Sequence, residues 1–193
     1  MQSYELQESL KSRYPSIHFD HPITWEEVFD IWRSNEISQE EWKCHWESWG
    51  FASWQEWRKH YAAPLDPEHL QWAMYTMGNP CADIVEMLGV PSVGWIANVY
   101  RDTQTLPIRE IVNKQGDGFD ARKNDKICAI RDDFPRETTL TGIVWKDRIV
   151  MIEGMHRACA LGMGRFKKEP LVHVTLAEWK CTSLPLLGGK PIR

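Results

Sequence analysis

Nowhere among the 193 residues is there an apolar run of the roughly 18 residues that a membrane-crossing helix requires. The opening Met1-Gln2-Ser3-Tyr4-Glu5 lacks the basic start and apolar stretch of a secretory signal, so a cytoplasmic protein without a membrane partner is expected. No Cys-x-x-Cys pair occurs either. The five cysteines, at 44, 81, 128, 159 and 181, are odd in number and scattered, which argues against a disulfide framework and fits reduced thiols. Cys44, His45 and His60 are residue types that zinc accepts, but closely spaced ligand pairs on both sides of a site are missing, so no metal centre is expected. Basic charge is also short: 23 Lys and Arg stand against 27 Asp and Glu, a net charge of -4. A polyanion is not attracted to such a chain as a whole, and nucleic acid is not an expected partner without a large local basic patch. The strongest local group, Arg157, Arg165, Lys167 and Lys168, suits one phosphate-bearing ligand or a solvated helix end and is short for a duplex. Neither Gly-x-Ser-x-Gly nor a Walker string is found, and Gly188-Gly-Lys190 sits in a proline-bearing tail without the helix a P-loop needs.

The remainder is globular in composition, 42% hydrophobic and 26% charged, enough to bury a core in one ordinary domain or in a core with a smaller helical subdomain. Seven of the eleven tryptophans fall between residues 25 and 57. Within that stretch Thr24-Trp-Glu-Glu27, Ser38-Gln-Glu-Glu41 and Ser53-Trp-Gln-Glu56 each read as a capping box at a helix start. Apolar spacing supports three short helices, with stripes at Trp25, Val28, Phe29 and Trp32, at Trp42, Trp46 and Trp49, and at Trp54, Trp57 and Tyr61. Gly50 is placed to end the second in a left-handed turn, with Phe51 packed behind it. The rings read as filling of a small core, or as a platform for bases or a protein partner.

Further along, Pro67 to Tyr75 predicts a short helix capped by Asp66, and Ala82 to Leu88 another. Gln115 to Asp125 reads as a surface loop. Its Asp117, Asp120 and Asp125, with Asp132 and Asp133 beyond, suit a magnesium ion or plain solvation. Two β-like runs, Thr138 to Trp145 and Arg148 to Glu153, flank Lys146-Asp147 as a hairpin. Gly154 then opens a helix, Met155 to Gly162, and a last strand follows from Pro170 to Leu176. The whole is an α+β chain, with a Trp-rich helical subdomain over 1–80 and a small mixed-sheet domain over 81–193. Glycine between strand and helix lets a ligand approach the backbone, and the first N–H groups of a helix attract anions. Arg157 offers a planar fork for phosphate and His156 a proton or hydrogen bond. Glu153 paired with Arg157 across the strand end is the alternative. His173 reads as structural.

The string Ile152-Glu-Gly-Met-His-Arg-Ala-Cys-Ala-Leu161 resembles the signature of the ParB/sulfiredoxin superfamily, over about residues 105 to 178, with Leu106 to Ile111 matching a first core strand. The resemblance implies a nucleotide site, with ATP or CTP and magnesium as ligands. It casts Gly154, His156 and Arg157 as the phosphate-binding residues, and Glu153 and His156 as the catalytic pair, Glu153 being base or metal contact. Met155 stands where sulfiredoxins carry their cysteine, which disfavours sulfinic-acid reduction, and Cys159 reads as a buried helix residue. With 15 residues after Glu178, the DNA-reading helices of partition proteins are not expected, and the acidic net charge disfavours a nuclease. The function expected is nucleotide binding with phosphoryl transfer or hydrolysis. The alternative is a non-catalytic adaptor holding a protein partner through the Trp-rich helices.

Overall fold

A computed structural model of the chain describes residues 8–36, 40–115, 118–164 and 166–189. The expected hairpin forms one side of a mixed sheet: strand β3, Glu137–Trp145, turns at Lys146 (φ 57°) into β4, Arg148–Glu153. Helix α9, Met155–Met163, follows and leads to β5, Leu171–Glu178, which lies parallel to β3 with Leu140 opposite Val174. The order strand, strand, helix, strand is the one the sequence indicates.

Two strands come from the N-terminal part. β1, Ile17–Ile23, pairs antiparallel with β2, Trp72–Met77, and β2 pairs antiparallel with β5, giving the sheet order β1-β2-β5-β3-β4. The ladder between β2 and β5 thus crosses the boundary expected after residue 80, and residues 1–80 are not purely helical. The helix expected over Pro67 to Tyr75 is corrected to one 3-10 turn, Pro67–His69, followed by β2. Trp72, Tyr75 and Met77 are buried there, and hydrogen bonding to strands on both sides outweighs the local helix signal. Leu106 to Ile111 is likewise not a strand. Pro107 precedes a helix, α7, Ile108–Asn113, whose Ile108, Ile111 and Val112 are buried at helical spacing.

Helices cover both faces of the sheet. α1, Glu8–Arg13, precedes β1, and the Trp-rich helices are α2, Trp25–Glu36, α3, Glu40–Ser48, and α4, Trp54–Ala62. On β3, Leu140 and Thr141 point to opposite faces. Thr141 accepts a hydrogen bond from Trp32 Nε1 at 2.9 Å, so α2 lies on that side, where the Trp25 ring also packs on Trp72 at 5.5 Å. On the other side α9 packs with α5, Pro80–Glu86, with α7, Ile108–Asn113, and with α8, Asp125–Asp132. Between α5 and α7 a short α6, Val93–Trp95, runs on as a π turn, Ile96–Tyr100.

The caps explain where the Trp-rich helices begin. Thr24 and Glu27 form the complete box: Glu27 N–H donates to Thr24 Oγ1 at 3.3 Å and Thr24 N–H to Glu27 Oε2 at 2.8 Å. At Ser53 the hydroxyl accepts from Glu56 N–H at 3.2 Å, while the Glu56 carboxylate reaches one residue further back, to Ala52 N–H at 2.8 Å. The box at Ser38 lies outside the described residues. Gly50 takes the expected left-handed conformation with φ 85°, and Phe51 is buried behind it.

Candidate functional site

The chain leaves β4 at Glu153 and turns into α9 through Gly154, at φ 88° and ψ 20°. A Cβ there would stand 2.5 Å from Leu140 Cδ2 and 3.2 Å from Arg157 Nη2, so both the backbone conformation and the close approach demand glycine. Lacking a side chain, Gly154 caps none of the first N–H groups of α9.

Arg157 stands one turn into the helix and points back at the strand. Its Nη2 donates to Glu153 Oε1 at 2.7 Å and Oε2 at 2.8 Å, and its Nη1 to Thr138 Oγ1 at 2.5 Å and the Thr139 carbonyl at 3.3 Å. The two side chains are 13% and 5% exposed, so water screens this pair little. Burial pushes the Glu153 carboxyl above the ordinary glutamate value, against the pull of Arg157.

A second buried pair lies against the first. Arg58 of α4 donates from Nε to Glu36 Oε2 of α2 at 2.6 Å and from Nη2 to Oε1, and Trp54 Nε1 donates to Glu36 Oε2 at 2.9 Å. The Arg58 guanidinium lies 4.3 Å from the Trp57 ring centre and 4.7 Å from that of Tyr61. Tyr61 OH donates to the Ile152 carbonyl at 2.8 Å, which ties α4 to the end of β4. Glu36, Arg58, Glu153 and Arg157 thus balance two charges of each sign between the two helix layers.

Above these pairs opens a cleft of about 1130 Å³. Part of its lining is aromatic, built from Trp42, Trp49 and Trp57, and Trp95 and the turn at Gly154 to Arg157 also line it. The His156 ring packs against Trp95 at 5.6 Å, and the Lys126 ammonium sits 4.0 Å over the Trp42 ring. His45 stacks on Trp49 at 4.3 Å. Burial first, and then the charge of Arg58, hold His45 below the ordinary histidine pKa, so it stays neutral near neutral pH.

The fold places Glu153, Gly154, His156 and Arg157 on one cleft with the tryptophans Trp42, Trp49 and Trp57. Trp32, Trp46, Trp54 and Trp57 are buried as core, while Trp42 and Trp49 keep half-exposed faces toward the cleft. Of the other candidates, His45, Asp125 and Asp133 line the same cleft, while others lie elsewhere. Lys167 and Lys168 are beyond the far end of α9, Asp120 caps one 3-10 turn, and Cys159 is buried within α9. His173 sits on the sheet beside Thr76 at 3.0 Å and Asp20 at 3.7 Å. Arg165, Asp117 and Lys190 lie outside the described residues. Among the described residues no three His, Cys, Asp or Glu side chains are grouped to hold a metal ion. Sequence reasoning missed Glu36, Arg58, Lys126 and Trp95. Its one usable signal was a cation, Arg58, set inside an aromatic stripe. Compared with family models, with curated proteins and with solved structures, the chain has no match.

Proposed function

We propose that the cleft binds a nucleotide, its base against the tryptophans and its phosphates at the first turn of α9. The observation that carries this reading is the meeting of two unlike surfaces in one cleft: half-exposed indole faces at Trp42 and Trp49, and the uncapped start of α9 at Gly154. Indole faces stack any base, and a helix start with a cation nearby attracts phosphate. ATP or CTP fits these residues. Three grouped metal-binding side chains are not found among the described residues, so magnesium is proposed only as held by the nucleotide's own phosphates.

His156 and Lys126, which line the cleft beside this turn, are the proposed phosphate contacts, and the Arg157 guanidinium holds Glu153, Thr138 and Thr139 in place around them. Phosphoryl transfer or hydrolysis is the finer part of the proposal. Glu153, whose carboxyl burial has pushed up, would take the proton of the attacking hydroxyl or water as that oxygen bonds to the terminal phosphorus and the nucleoside diphosphate leaves.

Calorimetric titration of ATP and of CTP, with magnesium, tests the reading on wild type and on His156→Ala and Lys126→Ala variants. Saturable binding weakened by both substitutions is expected. A folded wild type that takes up neither nucleotide would instead favour an adaptor that grips a protein partner through Trp42 and Trp49.

A further inference from the structure

At the other end of α9, a helix roughly 13 Å long by its rise, lies a second and larger groove of about 1580 Å³. Folding brings six cations to it from five places in the chain: Arg109 of α7, Arg122 after the polar loop, Arg131 of α8, Arg136 before β3, and Lys167 and Lys168 after α9. Asp132, Asp133 and Glu169 are its acidic residues. The groove thus has a positive excess in a chain whose net charge is -4, so like-charge spreading has not set the pattern. A nine-residue helix attracts cations only around its last turn, which accounts for neither Arg109 nor Arg122.

Three of the six are engaged within the chain: Arg109 with Glu86, Arg131 with Asp132 at 2.7 Å, and Arg122 with Asn113 at 3.4 Å. Arg136, Lys167 and Lys168 are exposed and have no carboxylate partner among the described residues. Between the cations lie two phenyl rings, Phe134 and Phe166, edge to face at 4.9 Å and half-buried.

We propose that this groove binds single-stranded nucleic acid. Its cations come from α7, α8 and the segments before β3 and after α9, so an extended occupant that meets several of them fits it better. Cations that track a phosphate backbone, with aromatic rings between them for the bases, are the combination single strands use. An acidic peptide has no use for the rings. A duplex is a rigid rod needing a broader basic face than a groove holding three carboxylates provides. The groove shares only Asp133 and Pro135 with the cleft, and the proposal stands whether or not the cleft takes a nucleotide.

Fluorescence anisotropy with a labelled oligonucleotide of about 12 nucleotides tests it, on wild type and on an Arg136→Ala/Lys167→Ala/Lys168→Ala variant. These side chains are exposed, so the variant keeps its fold, checked by circular dichroism. If three phosphates are neutralised, the logarithm of affinity falls with that of salt at a slope near roughly -2, about a 20-fold loss from 50 to 200 mM. The triple variant should bind at least about tenfold more weakly at low salt, with its slope close to zero. Phe166→Leu, which keeps the bulk and removes the ring, should weaken binding several-fold without changing the slope. Absence of binding at low salt overturns the proposal, as does binding that survives the triple substitution. Equal competition by a polyglutamate peptide, or a preference for duplex, overturns it too and points to general polyanion docking.

Discussion

Arg157 Nη2 lies 2.7 and 2.8 Å from the two carboxylate oxygens of Glu153, four residues before it and on the other side of a glycine turn. The pair holds the start of α9 against the end of β4, and both members are nearly out of reach of water. Removing one partner strands the other's charge in a low-dielectric site. Arg157→Ala should therefore cost about 3–5 kcal/mol of stability in urea unfolding. A joint Glu153→Leu/Arg157→Met exchange should recover most of that loss. A single-variant loss under about 1 kcal/mol, the size of an exposed pair, would remove the case for a structural pair.

Gly154 makes a sharper point about the same turn. Alanine there must accept φ 88°, at about 1–2 kcal/mol for an L residue in the left-handed region, and must push Leu140 aside, at about 1–3 kcal/mol. Gly154→Ala is thus expected to lower stability by roughly 2–5 kcal/mol. Gly94 is the control, because its Cβ would meet nothing within 4 Å and its φ is ordinary. Gly94→Ala should leave stability unchanged or raise it by about 0.4–1 kcal/mol. Equal losses at the two positions would show that the close approach at Leu140 is not what selects glycine.

What the sequence made legible was local chemistry. The hairpin over β3 and β4 could be read because alternating β-formers flank a two-residue turn, and the Trp-rich helices because hydroxyl and glutamate caps announce them. β1 could not: in Ile-His-Phe-Asp-His-Pro-Ile the alternation begun by Ile17 and Phe19 is interrupted at His21, and a bulge between Phe19 and His21 breaks its register. It is a strand because β2 offers it an edge. β2 reads as a helix for a related reason, since Pro67 can mark either a helix start or the approach to a strand until the neighbours are known, whereas the strand expected over α7 rested on the family resemblance and not on its own residues. At the site, Glu153 and Arg157 could be paired on paper because they are four residues apart. Glu36 and Arg58 could not, because only the packing of α2 on α4 brings them together.

The neutral His45 gives a pH dependence of defined sign. Its pKa in the folded protein lies below the ordinary value of 6.5, so the unfolded chain binds the proton more readily. The stability it contributes is complete above the unfolded value and is lost as pH falls from there through the folded value. Thermal unfolding across that window should show a drop on acidification that His45→Gln reduces. An unchanged slope in the variant would mean that other groups carry the whole effect.

Arg58 tests whether the two layers are coupled through their buried charges. Its guanidinium satisfies both oxygens of Glu36 and lies against Trp57 and Tyr61, a job that needs a flat, forked cation. Lysine can supply one charge and one bond at a time, and it stacks poorly. Arg58→Lys should accordingly lose about 1.5–3 kcal/mol, the worth of one hydrogen bond to a charged group, while Arg58→Ala should lose about 3–5 kcal/mol by stranding Glu36. Because the same rings line the cleft, both variants should also alter the near-ultraviolet dichroism of the tryptophans. If Arg58→Lys matched wild type in both measurements, the charge alone would matter at this position, and the fork and its stacking would have no part in holding those rings.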